Sequence, residues 1–117
     1  LLLKNSYSYG VKSEEIAMQY FKSLGFSVLA QRYKTKYGEI DLIVSQDHEL
    51  VFVEVKARKR PIALENILIQ KQISRNYSAA EIFLSVFDEY KDYICRFDLI
   101  VIFGDKISHH IKNVYLE

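Results

Sequence analysis

Ile16, Ala17, Tyr20, Phe21 and Leu24 recur at helical spacing, whereas from Glu39 to Ala57 polar and apolar positions alternate. The first pattern predicts an amphipathic helix over about Glu14 to Leu24. Ser13 is placed to cap it, and Gly25 to end it in a left-handed conformation. Residues 1–10, polar and aromatic from Lys4 to Tyr9, predict a loose N-terminal arm. Strands are predicted over Phe26 to Tyr33, with Phe26, Val28 and Ala30 on one face, over Glu39 to Val44, and over Leu50 to Ala57. Pro61 marks a break. A long helix then runs from Ala63 or Asn66 to Phe87, with Ile69, Ile73, Tyr77, Ala80, Phe83, Leu84 and Phe87 along one side. Arg96 to Phe103 reads as a fourth strand, and a turn at Gly104-Asp105 leads to a fifth over Lys106 to Tyr115. Helix, three strands, helix, two strands predicts a single α/β domain over 1–117. Its central mixed sheet is a three-stranded meander plus crossover strands, flanked by helices.

The alternation also predicts a register. If Asp47-His48 centres a tight hairpin, Asp41 lies opposite Glu54, Glu39 opposite Lys56, and Ile43 opposite Phe52. Directly opposed residues have Cβ atoms about 4.5–5.5 Å apart. Period two then gathers Glu39, Asp41, Glu54 and Lys56 on one face and puts Ile40, Leu42, Val44, Val51, Val53 and Val55 on the other. A slip by one residue would destroy both sets.

Burying acids and a lysine in strands is costly unless they pair or bind metal. Two carboxylates on adjacent strands with a lysine nearby suit metal-assisted phosphodiester cleavage. Hard oxygen ligands hold Mg²⁺, and a cation helps prepare the attacking water. The competing reading is a buried salt-bridge cluster. Opposed acids repel, so that cluster needs a further basic residue. Glu39 also reads as a cross-strand ion-pair partner of Lys56, and Glu14 as a favourable acid at a helix N-terminus.

Composition narrows the class. At 50% hydrophobic and 26% charged residues, the chain folds as a globular domain. It carries no apolar run long enough to span a bilayer and no signal-peptide pattern. The single cysteine, Cys95, fits a reducing cytoplasm and reads as a packing residue. Net charge is only +1, so any attraction to nucleic acid is local. Lys56, Arg58, Lys59 and Arg60 crowd one strand end, and Arg32, Lys34 and Lys36 precede the second strand. Such clusters suit a phosphate backbone, or else a solvated strand end that resists edge pairing. Tyr7, Tyr9, Tyr33 and Tyr37 are the candidates for exposed base contacts. Adjacent His109 and His110 point to opposite faces of a strand and do not suggest zinc. Asp98 reads as a structural partner of Arg96.

With Asp41 and Glu54-Val55-Lys56 on consecutive strands, this order resembles the restriction-endonuclease-like nuclease superfamily. More closely, the chain resembles the uncharacterised YraN-like or UPF0102 family, described as predicted endonucleases related to archaeal Holliday-junction resolvases. The residues that carry the resemblance are Glu14-Glu15-Ile16-Ala17 with Tyr20 and Gly25, Gly38 to Ile43, Val51 to Lys56 with Arg58, Lys71-Gln72, and Arg96-Phe97-Asp98. After Arg58 the family's aromatic-glycine element is not evident.

The resemblance implies a restriction-endonuclease-like sandwich and a Mg²⁺-dependent endonuclease, with Mn²⁺ as a substitute. The substrate would be DNA, branched or under repair. Asp41 and Glu54 would be metal ligands with the Val55 carbonyl and Glu14, and Lys56 would orient water and oppose developing charge. Glu39, Lys71 and Gln72 would support the site, while Lys34, Lys36, Arg58, Lys59 and Arg60 would meet nucleic acid. A junction-cutting enzyme would fit a symmetric homodimer. The alternative is a non-catalytic nucleic-acid-binding module of the same fold, and a third is a structural protein that packs its long helix on a partner.

Overall fold

The computed structural model describes residues 2–59 and 70–115, with side chains over 12–59 and 73–115. Arg60, Pro61, Ile69 and the predicted start of the second helix fall outside them. The elements are α1 (Leu2–Ser23), β1 (Ser27–Lys34), β2 (Glu39–Gln46), β3 (Glu49–Arg58), α2 (Gln70–Val86), a single 3-10 turn at Asp88–Tyr90, β4 (Ile94–Phe103) and β5 (Lys106–Ile111). The strands form one mixed sheet in the order β1-β2-β3-β4-β5, antiparallel except for the parallel β3–β4 pair. The predicted order of elements holds.

Of the loose arm expected over 1–10, residues 2–10 are instead the beginning of α1. Nucleating a helix is costly but extending it is cheap, and no proline blocks the extension. Ser13 is therefore a buried residue inside the helix, not its cap. The other end is as expected. Gly25 has φ of 93°. Its N–H donates to the Lys22 carbonyl, and the Phe26 N–H donates to that of Phe21. Phe26 packs edge-on against Phe21, with ring centroids 5.3 Å apart, the contact that accompanies this helix ending.

Among the described residues, one helix packs on each face of the sheet. Ala17 and Phe21 of α1 pack with Leu42, Val44, Val51, Val53, Ile100 and Ile102. Ala79, Ala80 and Phe83 of α2 pack with Ile40, Ile43, Leu50 and Phe52. Three expectations change here. A bulge between Val28 and Ala30 sends Ala30 to the α2 face, away from Val28. Ile40 also lies on the α2 face, apart from Leu42. Tyr33 is partly buried, packed against Phe83 with centroids 5.3 Å apart, and not an exposed contact. Arg32, whose φ is 50°, breaks the alternation of β1 a second time, next to Tyr33 and opposite the Ile40 end of β2.

The predicted fifth strand ends early, at Ile111, where a turn follows. Asn113 has φ of 55°, and its N–H donates to Asp98 Oδ1 at 3.1 Å. Asp98 is fully buried. It accepts from Arg96 Nε at 3.0 Å, as expected, and meets His110 Nε2 at 2.7 Å. His110 Nδ1 is 2.9 Å from the Tyr20 hydroxyl, so one carboxylate ties β4, β5 and α1 together. His109 is exposed. Cys95 is exposed as well, so it is not the packing residue expected.

Gly38 shows how closely α2 crosses the sheet. It is buried, and a Cβ on it would lie 2.5 Å from the Arg75 carbonyl oxygen. That neighbour is backbone and cannot swing aside, so Gly38→Ala should destabilise the fold by about 1–3 kcal/mol. Urea unfolding should show a lower midpoint with an unchanged slope. An unaltered midpoint would mean that α2 shifts freely over this corner.

Candidate functional site

Asp47 and His48 both have positive φ, 49° and 65°, which is the two-residue hairpin turn whose twist matches that of the strands. The turn sets the predicted register, with pairs from Gln46↔Glu49 to Ile43↔Phe52 and Leu42↔Val53. There the ladder stops. Asp41, next in register to Glu54, accepts a hydrogen bond from the Val55 N–H through Oδ2 at 2.8 Å. A strand amide points along the sheet plane, so this carboxylate lies between β2 and β3 where a backbone rung would otherwise stand. The Val55 carbonyl leaves on the same side as its N–H, towards the same gap.

Glu54 is 9% exposed. Lys56 Nζ is 3.2 Å from Glu54 Oε1, and Asn76 Nδ2 of α2 is 3.4 Å from Oε2. Asn76 also donates to the Tyr115 hydroxyl at 2.6 Å. Lys56 thus pairs along its own strand with Glu54, and not across to Glu39. Glu39 stands opposite Lys34 on β1. Glu14 is close enough to act on both acids electrostatically, but its Oε1 is bonded to Arg32 Nε at 2.6 Å. Arg32 itself stands opposite Asp41, between the Gln31↔Leu42 and Tyr33↔Ile40 pairs.

The charges are poorly compensated. Burial, then the neighbouring Glu54, push the Asp41 carboxyl up to about 8, with Glu14 and Glu39 adding to the rise and the Val55 hydrogen bond opposing it. Glu54 is also raised, by burial first, although Lys56 and Asn76 pull it down. Among the described residues, no three His, Cys, Asp or Glu side chains are gathered to hold a metal ion. Two acids are nonetheless enough for Mg²⁺, which keeps several waters and takes one or two carboxylates together with substrate phosphates. Asp41 and Glu54, with the Val55 carbonyl, fit that pattern.

The remaining sequence candidates divide. Lys71 and Gln72 stand on the first turn of α2, and their side chains, like Arg60, fall outside the described residues. Arg58 Nη1 donates to the carbonyl of Ala57 at 2.8 Å, and Lys59 is exposed beyond it. Lys34 and Lys36 meet Arg75 around a cleft of about 350 Å³ that Thr35, Tyr37, Gly38 and Glu39 complete. The structure adds Arg75, Asn76 and Tyr115, and it gives Arg32 a partner beyond its basic cluster. Asn76 carried a signal, a polar residue three after Ile73 on the apolar side of α2. Tyr115 carried none, because it follows the end of β5.

A sequence model of the family described as "Uncharacterised protein family UPF0102" matches residues 13–102. A UPF0102 protein of Bartonella bacilliformis is 34% identical over 96% of this chain and 92% of its own length. One from Rhodopseudomonas palustris is 34% identical over 94% of this chain and 85% of its own. One from Acinetobacter baylyi is 32% identical over 93% and 80%.

Folding holds the Asp41 proton more tightly than the unfolded chain does. Its contribution to stability is therefore full below the ordinary value of 3.8 and is lost as pH rises to about 8. In chelator, Asp41→Asn should raise Tm at about pH 9 by a few degrees, on the order of 4 °C per kcal/mol. It should change Tm little at about pH 4, where the parent carboxyl is neutral. Scanning fluorimetry decides. A lower Tm for the variant at alkaline pH would show that the charged carboxylate is compensated in place.

Proposed function

The chain belongs to the uncharacterised protein family UPF0102, a name that assigns no activity, and from its acid pair we propose that it is a metal-dependent endonuclease cleaving DNA phosphodiester bonds. The proposal includes the restriction-endonuclease-like form of the α/β sandwich and a cytoplasmic setting. One observation carries it: Asp41 and Glu54 are held together, under-neutralised, where β2 and β3 separate, with Lys56 at 3.2 Å from Glu54. Carboxylates beside a phosphate backbone weaken binding unless a cation intervenes. A module for binding alone gains nothing from them.

In this reading Asp41, Glu54 and the Val55 carbonyl hold Mg²⁺ or Mn²⁺. When bound, the ion supplies Lewis-acid polarisation of the scissile phosphate and makes water more acidic. The Val55 N–H fixes the Asp41 carboxylate, and Asn76 fixes that of Glu54, so neither need reorganise to receive a cation. Lys56 orients the attacking water and opposes the negative charge that grows on the phosphate oxygens. Lys34, Lys36 and Lys59 attract the DNA backbone.

A second reading, a non-catalytic nucleic-acid-binding module, draws support from Glu14. Its bond to Arg32 at 2.6 Å withdraws an expected ligand and supplies the basic residue that a structural ion-pair cluster needs.

Metal response and cleavage separate the two. Mg²⁺ should raise the Tm of the parent by mass action, more at about pH 9 than at about pH 5, because protons compete for the carboxylates. Asp41→Asn and Glu54→Gln should lose this rise together with cleavage of labelled DNA. Lys56→Met should keep the rise but cut at least about 100-fold more slowly. Cleavage at the parent rate by Lys56→Met would remove Lys56 from the chemistry. DNA binding without metal-dependent cleavage by the parent would favour the second reading.

A further inference from the structure

The cleft between β1, β2 and α2 has a composition that the acid pair does not explain. Lys34, Lys36 and Arg75 line it against one carboxylate, Glu39. Beside them Tyr37 is 60% exposed, with Lys36 Nζ 6.0 Å from its ring centroid. The connection that carries Tyr37 is pinned from within. Thr35 Oγ1 accepts the N–H groups of Tyr37 at 3.2 Å and Gly38 at 3.0 Å, and donates to the Gly38 carbonyl at 2.8 Å. The far wall is equally fixed, because the Arg75 backbone lies against Gly38 too closely to admit a Cβ. An aromatic ring on a rigid turn loses little entropy when a ligand lands on it.

Cations alone would suit any phosphate, but the exposed ring adds a requirement. A continuous duplex offers phosphates and hides its base faces. An unpaired nucleotide offers both, because every base has a face that can stack on an aromatic ring. We infer that this cleft clamps an unpaired nucleotide of a DNA strand, its phosphate among Lys34, Lys36 and Arg75 and its base on Tyr37, so that the nuclease acts on single-stranded or branched DNA. Glu39 lines the cleft only two residues from Asp41, so a strand held there runs beside the acid pair. The inference deepens the nuclease reading and rests on it for the class of ligand.

Fluorescence anisotropy in chelator tests it without cleavage, using labelled oligo-dT and a hairpin duplex of equal phosphate number. The parent should bind oligo-dT more tightly. Tyr37→Ala should weaken oligo-dT binding about tenfold and duplex binding less than about twofold, while Tyr37→Phe keeps the parent affinity. Arg75→Ala should lower the slope of log affinity against log salt on oligo-dT by about 0.7. Equal affinity for the two DNAs, a Tyr37→Ala loss that is absent or the same on both, an unchanged salt slope in Arg75→Ala, or no binding of oligo-dT would each overturn the clamp. None of these outcomes would alter the Mg²⁺-induced rise in Tm. Loss of that rise with the oligo-dT preference intact would fault the acid pair instead.

Discussion

The hydrogen bond from the Val55 amide to Asp41 takes the place of a rung between β2 and β3, and the acidic end of the sheet is arranged around it. A carboxylate that serves as a strand's hydrogen-bond partner cannot turn out to solvent. It stays beside Glu54, and burial raises both carboxyls, that of Asp41 further through the neighbouring Glu54. The amide gains an acceptor, worth about 0.5–1.5 kcal/mol while the carboxyl is neutral, and ionisation at alkaline pH adds the cost of a buried charge. The site is thus built on a conflict between backbone satisfaction and electrostatic repulsion. A divalent cation would resolve it, and so would a proton.

The two-faced core is what lets this conflict persist. With α1 on one side and α2 on the other, the strands between Ile40 and Val55 are buried well enough to hold a local penalty. The helices also bring polar groups to the site from opposite directions: Glu14 from α1, and Asn76 from α2. Gly38 permits the approach on the α2 side, which explains why a glycine opens the Gly38-Glu39-Ile40-Asp41 stretch. Without it the helix backbone would stand off, and the Asn76 amide would lie farther from Glu54.

Much of this is legible in the sequence, for reasons that differ by element. The hairpin register follows from strict alternation on both strands and from two residues suited to a tight turn, so pattern alone places Asp41 beside Glu54. The Gly25 ending of α1 is equally plain. The failures fall where a single backbone angle overrides period two. Arg32 in a left-handed conformation moves Tyr33 to the α2 face, and Ile40 follows. The bulge after Val28 does the same to Ala30. The early start of α1 is hidden because its first residues have no apolar stripe. Glu14's bond to Arg32 is invisible because it joins residues whose proximity depends on that kink. Asn76 is open to detection, as a polar residue on an apolar helix face.

The same kink has a consequence for how copies of the chain can meet. Among the described residues β1 is an outer strand, with one side unpaired in the sheet. Its bulge and the left-handed Arg32 break the straight rail of amides and carbonyls that an incoming strand would need. Sheet-to-sheet fusion across this border is therefore disfavoured. A pair of chains acting together on two strands of a junction would therefore join elsewhere than along β1, leaving this border free.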